Sequence, residues 1–224
     1  MSKPTSSLPQ ALFFDLDGTL LDSLPGIAFS IEQAFKVCSL QMRPLNLPQM
    51  IGPPIATILS QAAPDATELE RVLLERAFRI SYDSEGWQKT LAFPGSNAML
   101  KQAFALNLPL FVVSNKPRAV SVKILEREGM LPLFLEVVTR DSREPHYRTK
   151  AQMIEHLIHA FDLNPSRCVM VGDTMEDAQA ATLMQVSFIW VAHGYGELLP
   201  TQSIAYQIQS FSELLPILAT EFTQ

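Results

Sequence analysis

The chain has 224 residues, 47% hydrophobic and 18% charged, enough for one large domain or a core domain carrying a smaller insertion. A net charge of −6 and a pI near 5.2 argue against nucleic acid or an anionic membrane as partner. A small anionic substrate then requires a local positive site, usually a metal, to override the background field.

Met1 to Gln10 is polar, with two prolines and a single lysine, and offers no apolar stretch of signal-peptide length. The apolar runs elsewhere are strand-sized and too short to cross a bilayer, so a cytoplasmic location is expected. Leu12-Phe13-Phe14 ends abruptly at Asp15 and reads as a buried strand. From about residue 24 to 90 the pattern turns helical. Ile27, Ile31, Ala34, Phe35 and Cys38 share one face, and Leu69, Val72, Leu73, Ala77 and Ile80 share another. Asp22-Ser23-Leu24-Pro25-Gly26 introduces this segment, with Pro25 and Gly26 as one hinge candidate, and Phe93-Pro94-Gly95 marks the return. The reading is a core built from residues 1–22 and 92–224, with an all-helical insertion over 23–91.

After the return, Met99, Leu100, Ala103 and Phe104 form a helical stripe, followed by an apolar run over 110–113. Val120, Ile124 and Leu125 form the next stripe, with Gly129 placed as a C-terminal cap. A run over 135–138 precedes the helix of Met153, Ile154, Leu157, Ile158 and Phe161, which stops near Pro165. Runs over 168–171 and 188–191 flank a small-residued helix with Ala178, Ala181 and Gln185 on one face. Continuously apolar strands alternating with helices predict an α/β fold, a doubly wound (Rossmann-like) parallel sheet. Cys38 and Cys168 stand far apart in apolar settings that suit free, buried thiols.

Ligands of open parallel sheets bind outside the carboxyl ends of the strands. There the sequence places Phe14-Asp15-Leu16-Asp17-Gly18-Thr19-Leu20, whose two aspartates can enter one crevice while Gly18 lets the backbone turn tightly. Two carboxylates brought together require a cation or a shared proton. Later strand ends carry Ser114-Asn115-Lys116-Pro117 and Gly172-Asp173-Thr174-Met175-Glu176-Asp177, and Lys150 follows Thr149, a plausible N-cap. His156 and His159 sit three apart, but outside their helix's apolar stripe, so an exposed face is the reading preferred over a metal site. His193-Gly194-Tyr195-Gly196 either approaches the strand ends or merely turns.

These four segments, in this order, resemble the signatures of the haloacid dehalogenase superfamily, in its phosphoglycolate phosphatase-like branch with a helical C1 cap. The resemblance implies a magnesium-dependent phosphatase acting on a small phosphorylated metabolite through an aspartyl-phosphate. In that pattern Asp15 is the nucleophile and Asp17 the general acid and base, with its carbonyl on the metal. Ser114 and Asn115 receive the phosphoryl group alongside Gly18 and Thr19, although Ser114 also reads as a helix cap. Lys150 supplies fixed positive charge, with Arg148 as the competing candidate because the usual proline after the lysine is missing. Asp173 joins Asp15 as a magnesium ligand, and Asp177 either binds a metal water or pairs with Lys150. Lys116 divides evenly between a functional and a solvated reading, and Glu176 is expected to face solvent. Ile51-Gly52-Pro53-Pro54, with Arg43 as the nearest basic residue, is a candidate substrate-facing loop of the insertion. Asp17 argues against a dehalogenase or a phosphonatase. A sugar phosphomutase of the beta-phosphoglucomutase type would use the same motifs and is the alternative. Monomer and homodimer stay equally open.

Overall fold

Ala11–Phe14 forms β1, four residues without exposed surface, in the computed structural model, which describes residues 8–197 and 204–221. Most of the polar amino-terminal stretch therefore lies outside the described residues. A short strand β2 (Leu21–Asp22) leads into α1 (Leu24–Cys38), α2 (Ile55–Ala62) and α3 (Glu68–Ser84), and β3 (Leu91–Ala92) returns antiparallel to β2. The alternation that follows is α4 (Ser96–Ala105), β4 (Leu110–Ser114), α5 (Arg118–Arg127), β5 (Glu136–Thr139) and α6 (Lys150–Ala160). It continues through β6 (Cys168–Gly172), α7 (Met175–Leu183), β7 (Ser187–Val191), β8 (Tyr206–Ile208) and α8 (Leu214–Glu221). No described helix is long and apolar enough to cross a membrane.

Six strands make one parallel sheet in the order β5-β4-β1-β6-β7-β8. Successive residues of a strand point to opposite faces, so the apolar runs feed two cores. Leu12 and Phe14 of β1 pack with Leu110, Val112, Val169 and Val171 in a layer shared with the helical insertion. Phe13, Phe111, Val113 and Met170 face the other way, onto Met153, Ile154 and Leu157 of α6 and Ala178 and Ala181 of α7. The order places β1 between β4 and β6, where the chain changes direction across the sheet. A crevice opens at that switch point.

Within the insertion, α3 starts on a capping box, in which Thr67 accepts from the Glu70 amide while Glu70 accepts from Thr67 N–H. Its buried stripe is Leu74, Phe78 and Tyr82, and Phe78 and Tyr82 stack with centroids 5.5 Å apart. This corrects the sequence reading, because Leu69, Val72, Leu73 and Ile80 are all exposed. The helix has two apolar stripes, and the aromatic one, with more surface to bury, turns inward. Phe104 of α4 is likewise half exposed. Pro25 and Gly26 are not a hinge: both lie in the first turn of α1, where Gly26 is buried close against the Gly86 carbonyl. The connection is instead the β2–β3 pair. Both cysteines are free, Cys168 buried and Cys38 only half-buried. Burial pushes the Cys168 thiol up to about 11, an inert form.

Candidate active site

Asp15 immediately follows β1, and its backbone N–H donates to the Val171 carbonyl of β6 at 3.1 Å. The residue is 3% exposed, and Lys150 Nζ lies 2.9 Å from Oδ1. Lys150 is the first residue of α6, which Thr149 caps through the Gln152 amide, so the capping geometry fixes where the ammonium enters. Its second partner is Asp177 Oδ1 at 2.7 Å. Arg148, by contrast, is exposed, and its backbone N–H donates to the Gln152 side chain.

Asp15, Asp173 and Asp177 are buried with carboxylate oxygens all within 4.8 Å of one another. Burial, only partly offset by Lys150 and reinforced by Asp177 and Asp173, pushes the Asp15 carboxyl up to about 8. Asp173 rises to about 6 for the same reasons, with the Tyr195 N–H and Thr19 hydroxyl opposing the rise. Lys150 moves above its usual range, because its aspartate partners outweigh the burial that disfavours its charge. Three carboxylates against one ammonium leave an anionic pocket lined by oxygen, the donor set that a hard divalent cation prefers. Asp177 is already committed: Oδ1 accepts from Lys150, and Oδ2 accepts from Thr174 N–H at 3.1 Å and Thr174 Oγ1 at 2.5 Å. Its observed position is the pairing alternative, and it closes the capping box of α7.

The loop 193–196 approaches the site. Tyr195 N–H donates to Asp173 Oδ2 at 2.8 Å, and the Tyr195 hydroxyl donates to Asp22 at 2.6 Å while accepting from Leu24 N–H at 3.0 Å. A Cβ at Gly194 would sit 2.1 Å from the Asp173 side chain, so only glycine allows this approach. Gly18, at φ +84°, passes equally close beneath Asp173. Thr19 is fully buried and donates to Asp173 Oδ1 at 2.9 Å. Its hydroxyl is thus engaged with the aspartate.

Asp17 points toward the insertion, where Lys116 Nζ reaches both its oxygens at 2.9 and 3.2 Å. Lys116 is buried, not solvated, and also donates to the Tyr82 hydroxyl of α3 at 2.6 Å. Burial lowers its pKa, but the charge of Asp17 and the contacts with Tyr82 outweigh that and leave it above the usual range. Ser114 ends β4 beside β1, with its Oγ accepting from Lys116 N–H at 3.3 Å. Asn115 Nδ2 donates to Glu176 at 2.7 Å and to the Gly52 carbonyl at 3.4 Å. Glu176 is therefore half-buried in the site, not turned to solvent as expected.

A profile of the haloacid dehalogenase-like hydrolase family matches residues 12–191, most of the chain and every residue just described except those of the 193–196 loop. The chain belongs to that family. A phosphoglycolate phosphatase of Nitrosospira multiformis is 30% identical over 196 residues, covering 84% of this chain and 85% of that protein. The tyrosine-protein kinase PtkA of Mycobacterium tuberculosis is 29% identical over 87% of this chain and 66% of its own length. Among solved structures, a predicted phosphoglycolate phosphatase from Haemophilus somnus superposes with a TM-score of 0.83 at 29% identity, covering 93% of this chain and 97% of that one.

In this haloacid dehalogenase-like chain the four motifs converge on the end of β1, while other cleft residues, apart from the 51–54 loop, gave little local signal. Tyr82 and Arg79 of α3, and Arg140 and His146 after β5, line the cleft next to Asp17 together with Ile51, Gly52 and Pro53. Only the i, i+4 spacing of Phe78 and Tyr82 hinted that this stripe of α3 mattered. Arg43 turns away instead and pairs with exposed Asp65 at 2.6 Å. His156 lies 3.6 Å from Glu136 and His159 is exposed, in line with the surface reading.

Proposed function

We propose that this hydrolase is a phosphatase for small phosphate monoesters, working through an aspartyl-phosphate on Asp15. The observation that carries the reading is the buried Asp15 at the switch point, gripped by Lys150 and faced by Asp173 within 4.8 Å. The phosphatase names of two of the relatives above support it. An Asp15 oxygen attacks phosphorus and the ester oxygen leaves with the electrons of the broken bond, taking a proton from Asp17. Asp17 then removes a proton from water, and the resulting oxygen attacks the phosphorus of the intermediate, returning Asp15 and releasing phosphate.

Lys150 supplies fixed positive charge where the phosphoryl oxygens gather, and it costs no reorganisation because α6 and Asp177 already hold it. In this reading Ser114 Oγ and the Asn115 amide would receive the same oxygens. Lys116 anchors the Asp17 carboxylate. The side chains of Asp15 and Asp173, with the carbonyl of Asp17, would hold one magnesium ion, which when bound draws charge from the phosphoryl group. Residues 23–91 act in this reading as a lid on the core of 1–22 and 92–224, excluding water while the intermediate forms.

The decisive assay is hydrolysis of p-nitrophenyl phosphate with magnesium, with EDTA, and by Asp15→Asn. Metal-dependent turnover that falls at least about a thousandfold in Asp15→Asn is expected, the scale at which loss of an acting nucleophile is read. Full activity of Asp15→Asn would remove the covalent mechanism.

A further inference from the structure

We infer that the leaving group accepted by this cleft has an apolar body of ring size, with an anionic group beyond it. The inference rests on the phosphatase reading and specifies its substrate class. The cleft beside Asp17 has a volume of about 490 Å³, within the roughly 300–1,000 Å³ of pockets that bury whole ring-bearing ligands. Its buried lining is mainly apolar: Ile27, Ile51, Ile58 and Phe78 are each at most 8% exposed, with Tyr82 and Lys116 as the buried residues that carry polar groups.

Polar capacity in this lining is small. Lys116 is occupied by Asp17 and Tyr82, and the Asn115 amide N–H groups serve Glu176 and Gly52. Among the described lining residues, the one buried side-chain polar atom left without a partner is Asn115 Oδ1. A sugar buried here would bring several hydroxyls, each costly to leave unpaired. A ring with few polar groups meets no such penalty and gains from the isoleucines and Phe78.

Charge occupies the more exposed part of the same lining. Arg79 and Arg140 are half-buried, His146 is exposed, and the exposed Asp141 carboxylate between them accepts from Arg118 N–H and the Thr139 hydroxyl. His146 has Glu144 at 2.9 Å, and Arg79 has Glu75 at 3.7 Å. The Arg140 guanidinium has neither hydrogen bond nor ion pair among the described residues. A cation left free beside an apolar cleft, in a protein of net charge −6, suits a carboxylate or second phosphate on the far side of the leaving group.

The test compares esters of primary alcohols, so that leaving-group chemistry is matched: benzyl phosphate, 4-carboxybenzyl phosphate, glucose 6-phosphate and phosphoglycolate, each with the magnesium-loaded enzyme. Benzyl phosphate should exceed glucose 6-phosphate and phosphoglycolate at least about tenfold in kcat/KM, the discrimination typical of an apolar pocket. The 4-carboxy ester should improve on benzyl phosphate several-fold through KM, and Arg140→Ala should bring that ratio back toward one. A preference for glucose 6-phosphate or phosphoglycolate, with turnover still dependent on magnesium and Asp15, overturns the inference and leaves the phosphatase standing. Equal kcat/KM for the two benzyl esters overturns the anionic group. If none of these esters, nor p-nitrophenyl phosphate, is hydrolysed, both the phosphatase reading and this inference fail.

Discussion

Asp15 is held where its charge is least welcome. The unfolded chain releases the Asp15 proton near 3.8, whereas the metal-free folded protein keeps it up to about 8. Between those values the folded state binds more protons, so the stability of the metal-free protein falls as pH rises. The penalty is absent below 3.8 and complete above 8. Asp15→Asn, which lacks the charge, should melt higher than the wild type in EDTA, by a margin that widens from pH 5 to pH 8. Magnesium should close the gap by stabilising only the wild type, and a margin independent of pH in thermal scans would show that Asp15 is not protonated when metal-free. Lys150 presents the converse case. Lys150→Met leaves the buried Asp177 carboxylate without its cation, and breaking a buried pair from one side costs about 3–5 kcal/mol. Urea unfolding at neutral pH without metal should show that loss as a lower midpoint at unchanged slope.

At the scale of elements, the 193–196 loop is the part of the site most sensitive to a single carbon. Gly194→Ala places a Cβ 2.1 Å from Asp173 in the present backbone, so either the loop or the aspartate must shift. A displacement of about 1 Å at a catalytic centre is enough to cost about a hundredfold in rate. The expected result is that loss in kcat with a far-UV spectrum unchanged; kcat within twofold of wild type would mean that the loop gives way without moving Asp173. The sequence announced this loop only as two glycines around a tyrosine, because the contact joins residues 22 apart in the chain. Local features were far more legible. The run 12–14 ending in Asp15, the strands over 110–113 and 168–171, and Thr149 before Lys150 each declare themselves within a few residues. Helical periodicity was less informative for α3, since two apolar stripes compete and only packing decides which one turns inward. Strand β8 escaped for another reason: Tyr206–Ile208 is a three-residue edge with one exposed position, too short for any pattern.

For the molecule as a whole, the insertion and the sheet meet over the cleft through a small number of polar contacts. Lys116 reaches Tyr82 at 2.6 Å, Asn115 reaches the Gly52 carbonyl at 3.4 Å, and Gln49 bonds to Glu197. The chain enters and leaves the insertion through the two-residue pair β2–β3, and Arg127 of α5 ties its end through the Trp87, Gln88 and Thr90 carbonyls. Tyr82 has the most to lose among these contacts, because its hydroxyl is buried and also contacts Thr90 Oγ1 at 3.2 Å. Tyr82→Phe keeps the stacked ring against Phe78 but removes a partner from a buried ammonium, a change of about 1–3 kcal/mol. If the insertion opens as a unit, that energy favours the open form without unfolding either part. Amide exchange along α2 and residues 47–54 should then accelerate about 5- to 140-fold, at the scale of tenfold per 1.4 kcal/mol. Exchange in β1, β4 and β6 should stay at the wild-type rate. Equal acceleration in the sheet would mean that Tyr82 stabilises the fold globally. No acceleration in either would mean that Lys116 and Tyr82 do not hold the lid.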